Sequence, residues 1–111
     1  MDFNLSLVAQ PPEALVTLQG ELDLASSPIV SARLRAAMDS GCRRMMVDLS
    51  GVTFVDASAL GMLTATHREL RVREGTLKFV AYRPAFLRLC RATGLVEHFG
   101  LDAHEGVVAP V

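Results

Sequence analysis

The chain has 111 residues, 50% of them hydrophobic, and eleven Lys and Arg against twelve Asp and Glu leave a formal net charge of -1. That length and apolar content suit one domain with a single core, residues of about 3–100 forming it. The charge is spread without basic blocks, which excludes the electrostatic footprint of a nucleic-acid binder. Met1-Asp2 opens no secretory signal and no uncharged apolar run reaches the length of a membrane span, so a cytoplasmic protein without membrane insertion is expected.

Residues Phe3 to Val8 alternate as FNLSLV and Ala14 to Leu22 as ALVTLQGEL, with Gln10-Pro11-Pro12-Glu13 between them carrying turn chemistry. This predicts an antiparallel hairpin. Ser27-Pro28 reads as a helix start, with Ser27 accepting a bond from a free backbone N–H and Pro28 in the first turn. Val30, Leu34, Ala37 and Met38 follow at helical spacing, and Gly41 supplies the stop. Met45 to Leu49 is a short apolar run of the kind buried on both faces in a parallel sheet, followed by a loop at Ser50-Gly51.

Thr53 to Ser58 reads as a strand end and a tight turn into a second helix that reaches about Arg73, capped near Ser58 and closed by Glu74-Gly75. Leu77 to Ala81 is another strand, and Pro84 opens a third helix that runs through Arg91 and ends at Gly94. Leu95 to Phe99 is expected to pack on the domain, and the last few residues to fray. Strands alternating with helices after a hairpin predict a single α/β domain: a mixed sheet with parallel right-handed crossovers and helices packed on it.

Cys42 and Cys90 lie far apart without a CxxC or a neighbouring His. They read as reduced, packed thiols, and no metal or cofactor is expected. Ser58 and His67 are the obvious pair to test for nucleophilic catalysis. Nine positions at about 100° each put His67 roughly half a turn away on the opposite side of their helix, out of reach of the hydroxyl. No GxSxG, Walker-type or HExxH pattern is present either, so an enzyme is not expected. His98 and His104 read as surface or packing residues.

On the same helix Leu60, Leu63, His67 and Leu70 form a stripe that can face the core. Gly61, Met62, Ala65 and Val72 gather around the direction of Ser58, with Arg68, Glu69 and Arg73 beside them. This second, weakly apolar face has two readings. It touches a neighbouring loop or the C-terminal segment, or it is a partner surface in which an exposed Met among small residues admits close approach. Asp56 and Ser58 can each cap the helix, and Asp23 can be a strand-end turn residue. In a parallel α/β sheet the loops at the carboxyl strand ends share one edge, which would bring Asp23, Asp56 and Ser58 together.

Three segments give the chain a family likeness: Gly20-Glu21-Leu22-Asp23-Leu24, Asp48-Leu49-Ser50-Gly51-Val52 and Phe54-Val55-Asp56-Ala57-Ser58-Ala59-Leu60-Gly61. In their order and spacing, continued by Leu77-Lys78-Phe79-Val80 and Thr93-Gly94-Leu95, they resemble the STAS domains, most closely the stand-alone bacterial anti-sigma factor antagonists. The resemblance implies that Ser58 is the reversible phosphoacceptor, and that Asp56 and Asp23 match the acidic residues near it. Partner contacts are expected at Asp23, Asp56, Ser58, Ala59, Gly61, Met62 and Ala65. The resemblance also implies that the unmodified domain binds an anti-sigma factor, commonly an ATP-dependent serine kinase, and so frees the sigma factor. Phosphorylation by that kinase ends the binding, and a separate phosphatase restores it.

Two departures stand out. Ala57 replaces a small hydroxyl residue, and Ala59 stands where Gly is usual, so a partner needing very close backbone approach there would be hindered. Two other readings compete: a STAS scaffold subunit of a lipid-transport or signalling complex that is never phosphorylated, and a small hydrolase or transferase using Ser58, which lacks a base.

Overall fold

The computed structural model describes residues 3–101. The hairpin is present as β1 (Phe3–Gln10) and β2 (Glu13–Leu22), antiparallel along the whole of β1 from Phe3–Gly20 to Gln10–Glu13. Helix α1 (Ser27–Asp39), strand β3 (Arg44–Val55), helix α2 (Ala57–Val72), strand β4 (Thr76–Ala81) and helix α3 (Pro84–Ala92) follow. The strands form one sheet in the order β1-β2-β3-β4, with β2, β3 and β4 parallel. Strand burial alternates. Ala14, Val16 and Leu18, Met45, Val47 and Leu49, and Leu77 and Phe79 point to the helices, while Leu15, Met46 and Val80 lie on the open face.

Two expectations are corrected here. Ser50-Gly51 is not a loop, because β3 continues through it to Val55. Pairing passes from Thr17–Asp48 to Gln19–Gly51 and again from Gly20–Val52 to Glu21–Phe54, so β3 bulges twice against β2. Asp48 Oδ1 accepts the Ser50 amide at 2.8 Å in the first bulge, and a Cβ on Gly51 would stand 2.8 Å from Gln19 Cγ. The composition of a turn is here the composition of a bulge.

Ser27 does not cap α1. Its hydroxyl donates to the Asp23 carbonyl at 2.6 Å, and Ser26 stands at the boundary without capping the helix. Pro28 in the first turn and Gly41 at φ +105 after the last do act as start and stop signals.

The core lies between the sheet and the helices. Leu63 and Leu70 of α2 and Val30 and Leu34 of α1 are completely buried. Salt bridges from Arg35 to Glu69 at 3.0 Å and from Arg73 to Asp39 at 2.9 Å tie α1 to α2 across their exposed rims. After α3, residues 95–101 turn back over the domain, with Phe99 stacked on Phe86 and edge-on to Phe79. The expected packing of Leu95 to Phe99 is therefore found; the expected fraying beyond it lies outside the described residues.

Candidate functional site

The two bulges bring the ends of β2 and β3 level, with Leu22 paired to Val55 and the Asp56 amide donating to the Leu22 carbonyl at 3.2 Å. Asp23 and Asp56 thus leave the same sheet edge side by side. Asp56 is extended and caps α2: its Oδ1 accepts the Ala59 amide at 3.0 Å and the Ser58 hydroxyl at 2.6 Å. Its Oδ2 accepts the Leu24 amide at 3.2 Å, so one carboxylate joins the β2–α1 loop to the start of α2. The Ser58 hydroxyl first, and the Ala59 and Leu24 amides after it, hold the Asp56 carboxyl below the usual carboxylate value. The helix is capped by Asp56, and Ser58 sits one turn-position inside it.

Asp23 shares the edge, but its side chain is spent on its own loop. Oδ1 accepts the Ala25 and Ser26 amides, both at 3.0 Å, while the buried Ser26 hydroxyl accepts the Asp23 amide and donates to the Glu21 carbonyl. Asp23 shapes the loop that carries Leu24.

Ser58 is half-exposed, and among the described residues its hydroxyl meets Asp56 and no histidine. His67 is buried on the far side of α2, as the helix spacing requires. A carboxylate held below its usual value is a weak base, and among the described residues no other general base is assembled on Ser58.

The second face of α2 divides in two. Gly61 and Ala65 are exposed and line a shallow groove of about 270 Å³ with Ala57, Leu60, Arg68 and Leu95. Met62, expected to be exposed, is half-buried against the core, on the α1 side marked by the Glu69 and Arg73 salt bridges. Ala59, expected at the interface, is fully buried; its methyl faces the core and what it contributes is its amide to Asp56. Its departure from Gly therefore brings no bulk to the surface. Met62→Asp, which the exposed-face reading would make a clean interface probe, is now expected to cost about 1–3 kcal/mol of stability. Ala65→Asp should change stability by less than about 0.5 kcal/mol. Thermal unfolding followed by circular dichroism separates the two.

Sequence reasoning missed Leu24, which is 74% exposed, and Ile29, 56% exposed on α1. Their signal was present as apolar residues beside turn formers, but only the Asp56–Leu24 bond places Leu24 next to Ser58.

These features define a small α/β domain that presents one fixed serine hydroxyl at a helix start, beside a shallow groove. Residues 5–102 match the family described as Mlab, STAS domain, and the chain belongs to the STAS domain family. It is 24% identical over 103 residues to the anti-sigma-B factor antagonist of Bacillus subtilis (strain 168), covering 93% of this chain and 94% of that one. An anti-sigma factor antagonist from Mycobacterium paratuberculosis superposes with a TM-score of 0.78 at 26% identity, over 88% of this chain and 83% of that one. SpoIIAA in its phosphorylated form shares the fold, with a TM-score of 0.70 at 18% identity over 99% and 92% of the two chains. No described helix is long and apolar enough to cross a membrane.

Proposed function

We propose that this chain is a cytoplasmic anti-sigma factor antagonist switched by phosphorylation of Ser58. Unmodified, it binds an anti-sigma factor that is itself a serine kinase and so releases the sigma factor; phosphorylated, it lets go, and a phosphatase restores it. It acts as a substrate of that kinase and needs no cofactor of its own. The observation that carries the reading is the half-exposed Ser58 hydroxyl, held at the start of α2 by a 2.6 Å bond to Asp56. The relatives described as anti-sigma factor antagonists support it.

A phosphoserine brings about -1.5 to -2 charge at pH 7, and a helix N-terminus is a favourable place for it. The hydroxyl proton that Asp56 now accepts would be gone, leaving a dianion beside a carboxylate. A partner seated on the Ser58 edge and the Gly61-Ala65 groove would have to desolvate both charges. Binding is thereby lost while the core beneath, Leu60 and Leu63, is untouched.

With the cognate kinase and ATP, the protein is expected to gain one phosphate on Ser58 by peptide-resolved mass spectrometry, and Ser58→Ala none. Phosphate confined to another residue would defeat the switch. The scaffold reading draws support from the same geometry, since Asp56 already satisfies the hydroxyl. Full function of Ser58→Ala, with no phosphate ever found, would favour it.

A further inference from the structure

His67 has no part in the Ser58 site, yet it is only 8% exposed and its Nδ1 is enclosed without a hydrogen-bond partner among the described residues. Its cover is the returning C-terminal turn. The His98 ring lies 4.4 Å from it, centroid to centroid, and the Phe99 ring 5.8 Å. The turn is held by Phe99 in the aromatic cluster, by its own backbone bonds and by this pair of imidazoles. Its first residue, Leu95, lines the groove beside Gly61 and Ala65.

We infer that the His67–His98 pair is an acid-sensitive latch: neutral, it keeps residues 95–101 on α2, and protonated, it releases them and widens the groove next to Ser58. The latch does not depend on whether Ser58 accepts a phosphate.

The charged surroundings favour release. Arg71 stands one turn along α2, His98 faces from the turn, and both act against a cation at His67, as does burial itself. Glu97, next to His98, is exposed and forms no ion pair among the described residues. From β4 the core-facing groups, Leu77 and Phe79, are apolar, as is Phe86 of α3. From α1, Arg35 and Asp39 are engaged by Glu69 and Arg73, about 200° and 240° around the helix from His67. Among the described residues nothing anionic is placed to welcome a proton on the covered ring.

Burial first, and then His98 and Arg71, hold His67 below the ordinary histidine value. A histidine freed by opening of the turn regains a value of about 6.5. The open state therefore binds the extra proton, and opening grows as pH falls below that value and reverses as it rises. Linkage of one proton gives at most about tenfold per pH unit.

Hydrogen exchange read by NMR tests this at the amides of Leu95, Phe99 and Leu101, which donate to the carbonyls of Cys90, Leu95 and Val96 at 2.8, 2.9 and 2.9 Å. Between about pH 7.5 and 5.5 their protection, corrected for intrinsic exchange, is expected to fall, by at most about tenfold, in the wild-type chain, while β2–β3 amides hold theirs. His67→Phe, which keeps a ring and removes the titration, should abolish the dependence; should it fail to fold, His67→Gln, which also cannot titrate and keeps a polar side chain there, carries the test. A pH-independent turn would overturn the latch. So would loss in step with the sheet, or an unchanged dependence in the variants.

Discussion

Ser58→Asp is expected to bind the proposed anti-sigma partner at least about 100-fold more weakly than wild type, with the domain still folded. The new carboxylate would replace a hydroxyl that now donates to Asp56 at 2.6 Å, so an attraction becomes a repulsion at the contact surface. Like charges brought together at an interface cost several kcal/mol, and each 1.4 kcal/mol is about tenfold in affinity. The fold should tolerate the change because an acid in the first turn of a helix is favourable and Asp56 keeps its bond to the Ala59 amide. Ser58→Ala should bind within about fivefold of wild type, since it adds no charge and removes only one part-exposed hydrogen bond. Isothermal titration of the three proteins decides, and equal affinity for Ser58→Asp and wild type would remove charge as the switching agent.

Leu63→Ala should do the reverse and damage the fold itself. Leu63 is completely buried on α2, in the layer shared with Leu34, Leu70 and the inward residues of the sheet. Removing its isobutyl group is expected to cost about 2–5 kcal/mol, the loss of transfer energy plus the cavity left behind. Against the typical total of about 5–15 kcal/mol this is a large share, with a fall of roughly 10–20 °C in melting temperature. Denaturant unfolding measures it directly, and a value near zero would place the buried face of α2 elsewhere.

The order and type of every element were legible because period and punctuation agree: alternation in β1 and β2, a helical stripe in α1 and α2, and Pro and Gly at the boundaries. What escaped is what depends on a second segment. Ser50-Gly51 has turn composition, and only pairing with β2 makes it a bulge. Ser27 and Ser26 are equivalent by sequence, and the Asp23 loop decides their roles. The shared sheet edge put Asp56 and Ser58 together, and helix arithmetic put His67 opposite. It could not say that α1 would half-cover Met62's side, that Ala59 would point into the core, or that Leu95 would wall the groove on Gly61. The site is local where it concerns Ser58 and Asp56, and tertiary where it concerns the surface around them.

The double bulge in β3 also makes length in that strand a matter of odd and even. Met45, Val47 and Leu49 face the core; the first extra residue moves that face to Val52, and the second returns it to Val55, packed on the core opposite Leu22. Because strand side chains alternate with period two, a chain shortened by one residue here would swing Val55 outward and carry Asp56 to the wrong side of the sheet edge. One shortened by two would keep both orientations but draw Asp56 back from Leu24. Length variation in this stretch is thus counted in parity for the fold and in reach for the serine site.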